Sequence, residues 1–245
     1  MKQNLNIEKN SVTLKSKKIE KTKLENIPFE QEILRKGIHL MSLSIPVIYI
    51  FVTKEFALTI LIPMMIISFL IDILSKFDNV VRTYLLLYFG KMLRDHEKKR
   101  DLFILNGATW VLISAVITIL IFPKVIAVIS FMILIISDIS AALIGRRFGK
   151  HKLLDKSIEG TFAFIMTGFL VVWIVGTIYQ ANLWFYLAGY MGAFVGGIVE
   201  LISKKIKVDD NISIPISVGI TMSIVNLVIY WFYDQTFLDL FYHQI

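Results

Sequence analysis

The chain has no cysteine and only four histidines in 245 residues. The first absence excludes disulfides and cysteine-bound metals, and the second leaves little for a histidine-based zinc site. Charge is also scarce, at 18% of residues against 56% apolar, and mean hydropathy is +0.69. That balance lies far outside a soluble globular composition, so lipid is the expected main solvent. The formal net charge is +7, but the basic residues stand between apolar runs rather than on a soluble surface. Nucleic acid is therefore not an expected partner, whereas anionic lipid headgroups and phosphorylated substrates are. The first apolar run follows more than thirty largely polar residues without a small-residue cleavage site. The tail is thus expected to stay on the protein.

A membrane-spanning helix needs about 20 mostly apolar residues. Seven runs qualify, near residues 38–53, 56–75, 102–122, 125–144, 161–179, 181–202 and 212–233. The first is short, and it extends toward Phe29 because nothing after Pro28 interrupts it. The expected fold class is all-α, a polytopic membrane bundle of about seven transmembrane helices. Of the 26 Lys and Arg residues, nine precede His39, seven lie from Lys76 to Arg100, five from Arg146 to Lys156 and three from Lys204 to Lys207. By the positive-inside rule, the tail and these three connections, holding 24 of the 26, are cytoplasmic. Lys54 and Lys124 are the exceptions. The N-terminus is then cytoplasmic, and seven spans place the C-terminus outside. Residues 1–28 form a charged tail expected to be disordered or loosely bound to the membrane surface. Between Asp78 and Arg100, Val80, Val81, Tyr84, Leu85, Leu87, Tyr88 and Met92 recur at near-helical spacing, which predicts an interfacial amphipathic helix.

The polar residues within or beside the spans carry the candidate chemistry. Asp138 lies inside the fourth apolar run, where a bare charge costs about 2.5–3.5 kcal/mol at the bilayer centre. It needs a compensating partner or water. It precedes Gly145 by seven residues, about 10 Å of helix rise, so a cavity open to the cytoplasm could reach it. Ala141, Ala142 and Gly145 follow at helical spacing, suited either to close helix packing or to ligand approach. Glu200 falls near the end of the sixth run, one short loop before Asp209 and Asp210. Three carboxylates on one face suit a hard divalent cation such as Mg²⁺, commonly held by one or two carboxylates with substrate phosphates. The alternative for Glu200 is an ordinary helix-surface pair with Lys204.

Gly145, Arg146, Arg147, Gly149, Lys150, Lys152, Lys156 and Gly160 fall in one glycine-rich basic connection. Such a loop brings backbone N–H groups and cations to phosphate oxygens. It is not a P-loop, because His151 stands where that motif has Ser or Thr and the glycine spacing is one residue short. Positive-inside topology explains a basic loop equally well. On the first span, Arg35 and His39 lie one turn apart, and Arg35 and Lys36 also read as topology anchors.

In this order the segments resemble the family of CTP-dependent lipid-alcohol kinases that includes dolichol kinase, phytol kinase and the CTP-using diacylglycerol kinase. The resemblance runs from about residue 30 to 220. It starts with Glu32, Arg35, Lys36 and His39, then Arg94 and Glu97, then Asn106, Gly107, Ala108 and Thr109. The most specific block follows, with Ser137, Asp138, Ala141, Ala142, Gly145, Arg146, Phe148, Gly149, Lys150, Lys156, Ser157, Ile158, Glu159, Gly160 and Thr161. Glu200, Asp209, Asp210, Asn211 and Pro215 close the pattern. Ile139 departs from it, since many relatives carry Thr or Ser after the Asp.

The resemblance implies that residues 29–245 form a transmembrane lipid-kinase-like domain that transfers the γ-phosphoryl group of CTP to a membrane alcohol with Mg²⁺. Asp138 would hold Mg²⁺ or take the alcohol proton, and Arg35 and Lys36 would clamp phosphate. Gly145, Arg146, Gly149, Lys150, Lys156, Ser157, Glu159, Gly160 and Asn211 would serve the nucleotide. Asp138, Glu200, Asp209 and Asp210 would serve the metal. The expected partners are a membrane lipid and a nucleotide, met at the cytoplasmic face of a multi-pass protein. Two alternatives are a phosphatidate cytidylyltransferase, using the same nucleotide with different bond cleavage, and a transporter with Asp72, Asp138 and Glu200 as pathway carboxylates.

Overall fold

The computed structural model describes residues 29–90, 93, 105–206 and 208–241. The tail (residues 1–28), Met92, Arg94, Glu97 and the side chains of Glu32 and Lys204 lie outside the described residues. The described residues form nine helices and one small hairpin. These are α1 (Phe29–Met41), α2 (Ser44–Phe51), α3 (Lys54–Phe77), α4 (Asn79–Phe89), α5 (Gly107–Ile121), α6 (Lys124–Phe148), β1 (Lys152–Leu153), β2 (Lys156–Ser157), α7 (Ile158–Ile178), α8 (Leu183–Ile206) and α9 (Asp210–Tyr233).

The protein is an all-helical bundle in which five helices, α3, α6, α7, α8 and α9, are long and apolar enough to cross a membrane. The other two predicted runs do not form single long helices among the described residues. The first is broken into α1 and α2 at Ser42–Leu43. Pro46 has no N–H, and its ring clashes with the carbonyl four residues back, that of Ser42. The Ser42 carbonyl accepts from the Ile45 N–H at 3.0 Å instead, and the Ser44 hydroxyl donates to the Met41 carbonyl at 2.8 Å. The third predicted run becomes α5, of 15 residues, because the Asn106 side chain caps its start by accepting from the Thr109 N–H at 3.0 Å. Fifteen residues rise about 22 Å, short of a hydrocarbon core of about 30 Å. Of the helix predicted between Asp78 and Arg100, residues 79–89 are helical as α4, started by the Asp78 carboxylate on the N–H groups of Val80 and Val81 at 2.6 and 3.0 Å. Val80, Tyr84, Leu87 and Tyr88 on it are exposed.

Helix α6 is the axis. Val125 to Ile129, Ser130, Phe131 and Ile133 to Ile135 are each at most 3% exposed, and α1, α2, α5, α7, α8 and α9 all pack on it. The surrounding helices turn Ile67, Leu70, Leu170, Met191 and Leu227 outward, as a lipid-facing surface requires. Helices α7 and α8 meet through glycines. A Cβ at Gly168 would stand 2.8 Å from the Ala193 Cβ, one at Gly189 2.6 Å from Val172, and one at Gly197 2.6 Å from Ile165. Backbones approach closely there because no side chain intervenes. Gly168→Leu is therefore expected to lower the melting temperature of the purified protein, at a cost of about 1–3 kcal/mol for overpacking. Leu170→Ala, on the outward face, leaves it nearly unchanged.

The two exceptional lysines tie helix ends together at one end of the bundle. Lys54 donates to the Leu120 carbonyl at 2.8 Å. Lys124 donates to the Val52 carbonyl at 2.8 Å and lies 5.6 Å from the Tyr49 ring centre. Each satisfies carbonyls that the ends of α5 and α2 leave open. After α9, the chain folds back over the turn between α7 and α8, burying Phe237 and Phe241. The Asn182 amide donates to the Thr236 carbonyl at 2.9 Å. The opposite end gathers the predicted polar residues.

Candidate functional site

Asp138 sits on α6 at 8% exposure, where the sequence demands a compensating charge. Helix α1 supplies it. The Lys36 ammonium, itself 6% exposed, pairs with Asp138 Oδ2, and His39 Nε2 lies 3.8 Å from the same oxygen. Lys36 and His39 reach the carboxylate together because they lie three residues apart on one helical face. Arg35 precedes them on α1 and is partly buried. The first predicted motif and the Asp138 motif thus form one cluster across 102 residues of chain.

A second cluster centres on Lys156, at the end of the hairpin. Its ammonium donates to Glu200 Oε1 at 2.5 Å and to Asp210 Oδ2 at 3.1 Å. Glu200 therefore pairs across the bundle from α8, and Asp210 joins from the first turn of α9. Burial lowers the Lys156 pKa, but Asp210, Glu200 and Asp138 together outweigh it and hold the ammonium above the ordinary lysine range. Among the described residues, Glu200 Oε2 is buried with no hydrogen-bond partner.

The glycines around the connection pack on Ser157. A Cβ at Gly149 would stand 2.7 Å from the Ser157 Cβ, one at Gly145 2.8 Å from its hydroxyl, and one at Gly160 2.9 Å from the Ala141 carbonyl. Ser157 caps α7, its hydroxyl accepting from the Gly160 N–H at 3.1 Å. Glu159 accepts from the N–H groups of Lys150 and His151 at 3.0 and 3.1 Å and from His151 Nδ1 at 2.8 Å. Its carboxylate lies where those N–H groups would receive another anion. Arg146 and Lys150 are exposed at this end.

Leu154, in the two-residue turn between β1 and β2, has a φ of 58°, a left-handed conformation that costs a non-glycine residue about 1–2 kcal/mol. Leu154→Gly is expected to raise the unfolding free energy by up to about 1 kcal/mol, and the melting temperature with it, once the greater freedom of glycine in the unfolded chain is subtracted.

The structure separates two residues that the sequence pairs. Asp209 caps α9, its Oδ1 accepting from the Asn211 N–H at 3.0 Å and the Asn211 amide at 2.7 Å. Asp210 faces Lys156. Among the described residues no three histidine, aspartate or glutamate side chains form a ready metal set. Glu200 and Asp210 flank a single cation, and the orphan oxygen of Glu200 could accept another, so these two carboxylates fit a metal held jointly with phosphate oxygens.

Asp72 is a buried tie between two helices. At 3% exposure, it accepts from the Asn106 N–H at 2.8 Å and also pairs with the Asn106 side-chain amide. It thereby ties the Asn106–Gly107 start of α5 to α3. The signal lies in the sequence, since a carboxylate in an apolar run demands a partner as much at residue 72 as at 138.

No family model and no solved structure matches the chain. Two relatives do. The CTP-dependent diacylglycerol kinase 1 of Saccharomyces cerevisiae is 26% identical over 148 residues, which is 52% of this chain and 51% of the yeast protein. The match therefore spans about half of that kinase. The Uncharacterized protein RP860 of Rickettsia prowazekii is 30% identical over 210 residues, which is 82% of this chain and 97% of the relative. At that identity over nearly the whole of the relative, the chain belongs to the family of the Rickettsia prowazekii protein RP860.

Proposed function

We propose that this chain is a multi-pass membrane kinase that transfers the γ-phosphoryl group of CTP to the hydroxyl of a lipid alcohol, with Mg²⁺ as cofactor, at the cytoplasmic face. The observation that carries the reading is the presence of two ion-paired clusters, Lys36–Asp138 and Lys156–Glu200–Asp210, at one end of the bundle. Phosphoryl transfer asks mainly for positioning and for positive charge where phosphate charge develops. The similarity to a CTP-dependent diacylglycerol kinase supports the donor and the class of acceptor. Neither requires nucleic acid.

Asp138 accepts the proton of the lipid hydroxyl as the lipid oxygen bonds to the γ-phosphorus and the bond to the β–γ bridging oxygen breaks, releasing CDP. Lys36 and Arg35 hold the transferring oxygens in line, and Lys156 with Arg146 and Lys150 offsets the charge of the remaining phosphates. The divalent ion neutralises phosphate charge when bound, and Glu200 and Asp210 would hold it. The Ser157 cap and the glycines packed on it fix the hairpin that carries Lys156. Because Asp138 lies about 10 Å inside the helix from Gly145, a hydroxyl at headgroup depth meets it while the lipid chain stays in hydrocarbon.

The test is a substrate panel. Purified protein is incubated with γ-labelled CTP, ATP or GTP against diacylglycerol, polyprenols, phytol and phosphatidate. The expected result is label on a lipid alcohol, with CTP as the preferred donor. Absence of label on every alcohol sinks the reading.

A further inference from the structure

Among the described residues, Glu200 Oε2 is a buried carboxylate oxygen of the candidate site with no hydrogen-bond partner, on a side chain 6% exposed. The other oxygen of that carboxylate receives the Lys156 ammonium at 2.5 Å, and Asp210 Oδ2 receives the same ammonium at 3.1 Å. Two carboxylates from the ends of α8 and α9 thus converge on one cation. That is the donor set a hard divalent ion takes when substrate phosphates complete its shell. No third aspartate, glutamate or histidine closes the set among the described residues, so positions for phosphate and water remain. The occupant is a lysine, whose compact charge sits on a flexible four-carbon stem. Its backbone neighbour Ser157 is buried and fixed by the α7 cap, which leaves the stem as the part that can re-aim.

We propose that Lys156 is a resident counter-ion that a divalent cation replaces: the ion takes Glu200 and Asp210, and the released ammonium turns to nucleotide phosphate. The second half rests on the kinase reading. The first half is a property of Lys156, Glu200 and Asp210 alone. No covalent bond changes, and the displaced ammonium exchanges two carboxylates for phosphate oxygens.

The test measures Mn²⁺ alone, by paramagnetic resonance of the free ion, on the purified full chain without nucleotide. A site whose competent form is a minor fraction shows an affinity reduced by that fraction, so Lys156→Met is expected to bind Mn²⁺ about tenfold or more tightly than the unaltered chain. Lys156→Arg keeps a cation and stays within about threefold of the unaltered chain for the same reason. Adding Glu200→Gln to Lys156→Met removes the gain. A misfolded variant does not gain a site, so the expected direction is itself a folding control. Equal or weaker Mn²⁺ binding by Lys156→Met overturns the proposal, as does a gain that persists in the double variant. If Mn²⁺ binding tightens as expected but no lipid is phosphorylated, the kinase reading falls and the exchange stands. Lipid phosphorylation without tighter Mn²⁺ binding overturns the exchange and leaves the kinase reading in place.

Discussion

Asp138→Asn is expected to lower lipid phosphorylation by about a hundredfold to ten-thousandfold, the range for losing the general base proposed here. The variant also leaves the Lys36 ammonium, 6% exposed, without its counter-charge. Breaking one partner of a buried pair costs about 3–5 kcal/mol, so the melting temperature falls as well. The double variant Lys36→Met with Asp138→Asn isolates the stability effect. Removing both charges takes away the uncompensated ion and recovers most of the stability, while activity stays lost. Normal turnover by Asp138→Asn would sink the catalytic assignment. Recovery of activity in the double variant would show that Asp138 only neutralises Lys36.

Lys156→Met has the second large effect. It removes the cation shared by Glu200 and Asp210 and, with it, the ammonium proposed to meet phosphate. The expected result is a raised KM for CTP and a kcat/KM lower by about a hundredfold to a thousandfold, the scale for losing one electrostatic donor. The KM for the lipid should move little, because Lys156 faces carboxylates rather than the apolar surface. The pH dependence of stability carries a second signature. The folded pKa of Lys156 lies above its ordinary value, so the stability it contributes is fully present below about pH 10.4 and is lost as pH rises through the higher folded value. The difference in unfolding free energy between the unaltered chain and Lys156→Met should therefore stay constant from about pH 6 to 9 and shrink only in more alkaline solution. A difference that disappears near neutrality contradicts the pairing.

Local demands are legible in the sequence, and their partners are not. A carboxylate inside an apolar run announces its need for a cation at Asp138, but nothing in a single sequence says that Lys36, 102 residues earlier, meets it. Glu200 has a lysine four residues ahead of it, and the helical-spacing rule points there. Among the described residues its partner is Lys156, brought by the bundle from 44 residues away. Asp72 is the converse case, a carboxylate with the same demand whose partner, Asn106, shows only when α3 and α5 lie side by side. Adjacent acids are also misleading as a pair. Asp209 and Asp210 are chemically alike, yet the start of α9 turns one into a cap and the other toward Lys156.

Apolar run length locates the five long helices, because lipid requires about 20 apolar residues per span whatever the packing. It fails where short-range backbone chemistry intervenes. Pro46 with Ser44 breaks the first run, and the Asn106 cap shortens the third. Pro63 and Pro215 carry the same sequence signal but lie inside continuous helices, since proline is tolerated where neighbouring helices and local adjustments re-satisfy the freed carbonyl. The glycines of the basic connection are legible as close-approach positions. That Ser157 lies at the centre of three of them follows only from the hairpin and the α7 cap.

Whether the phosphoryl group or the nucleotide reaches the lipid is decided most directly by giving the purified protein its accepted lipid and CTP labelled in parallel at the α- and the γ-phosphate. A kinase built on Asp138, Lys36 and Lys156 leaves γ-label on the lipid and α-label in CDP. Label from the α-phosphate on the lipid, with the γ-label in pyrophosphate, contradicts that assignment and makes the protein a cytidylyltransferase.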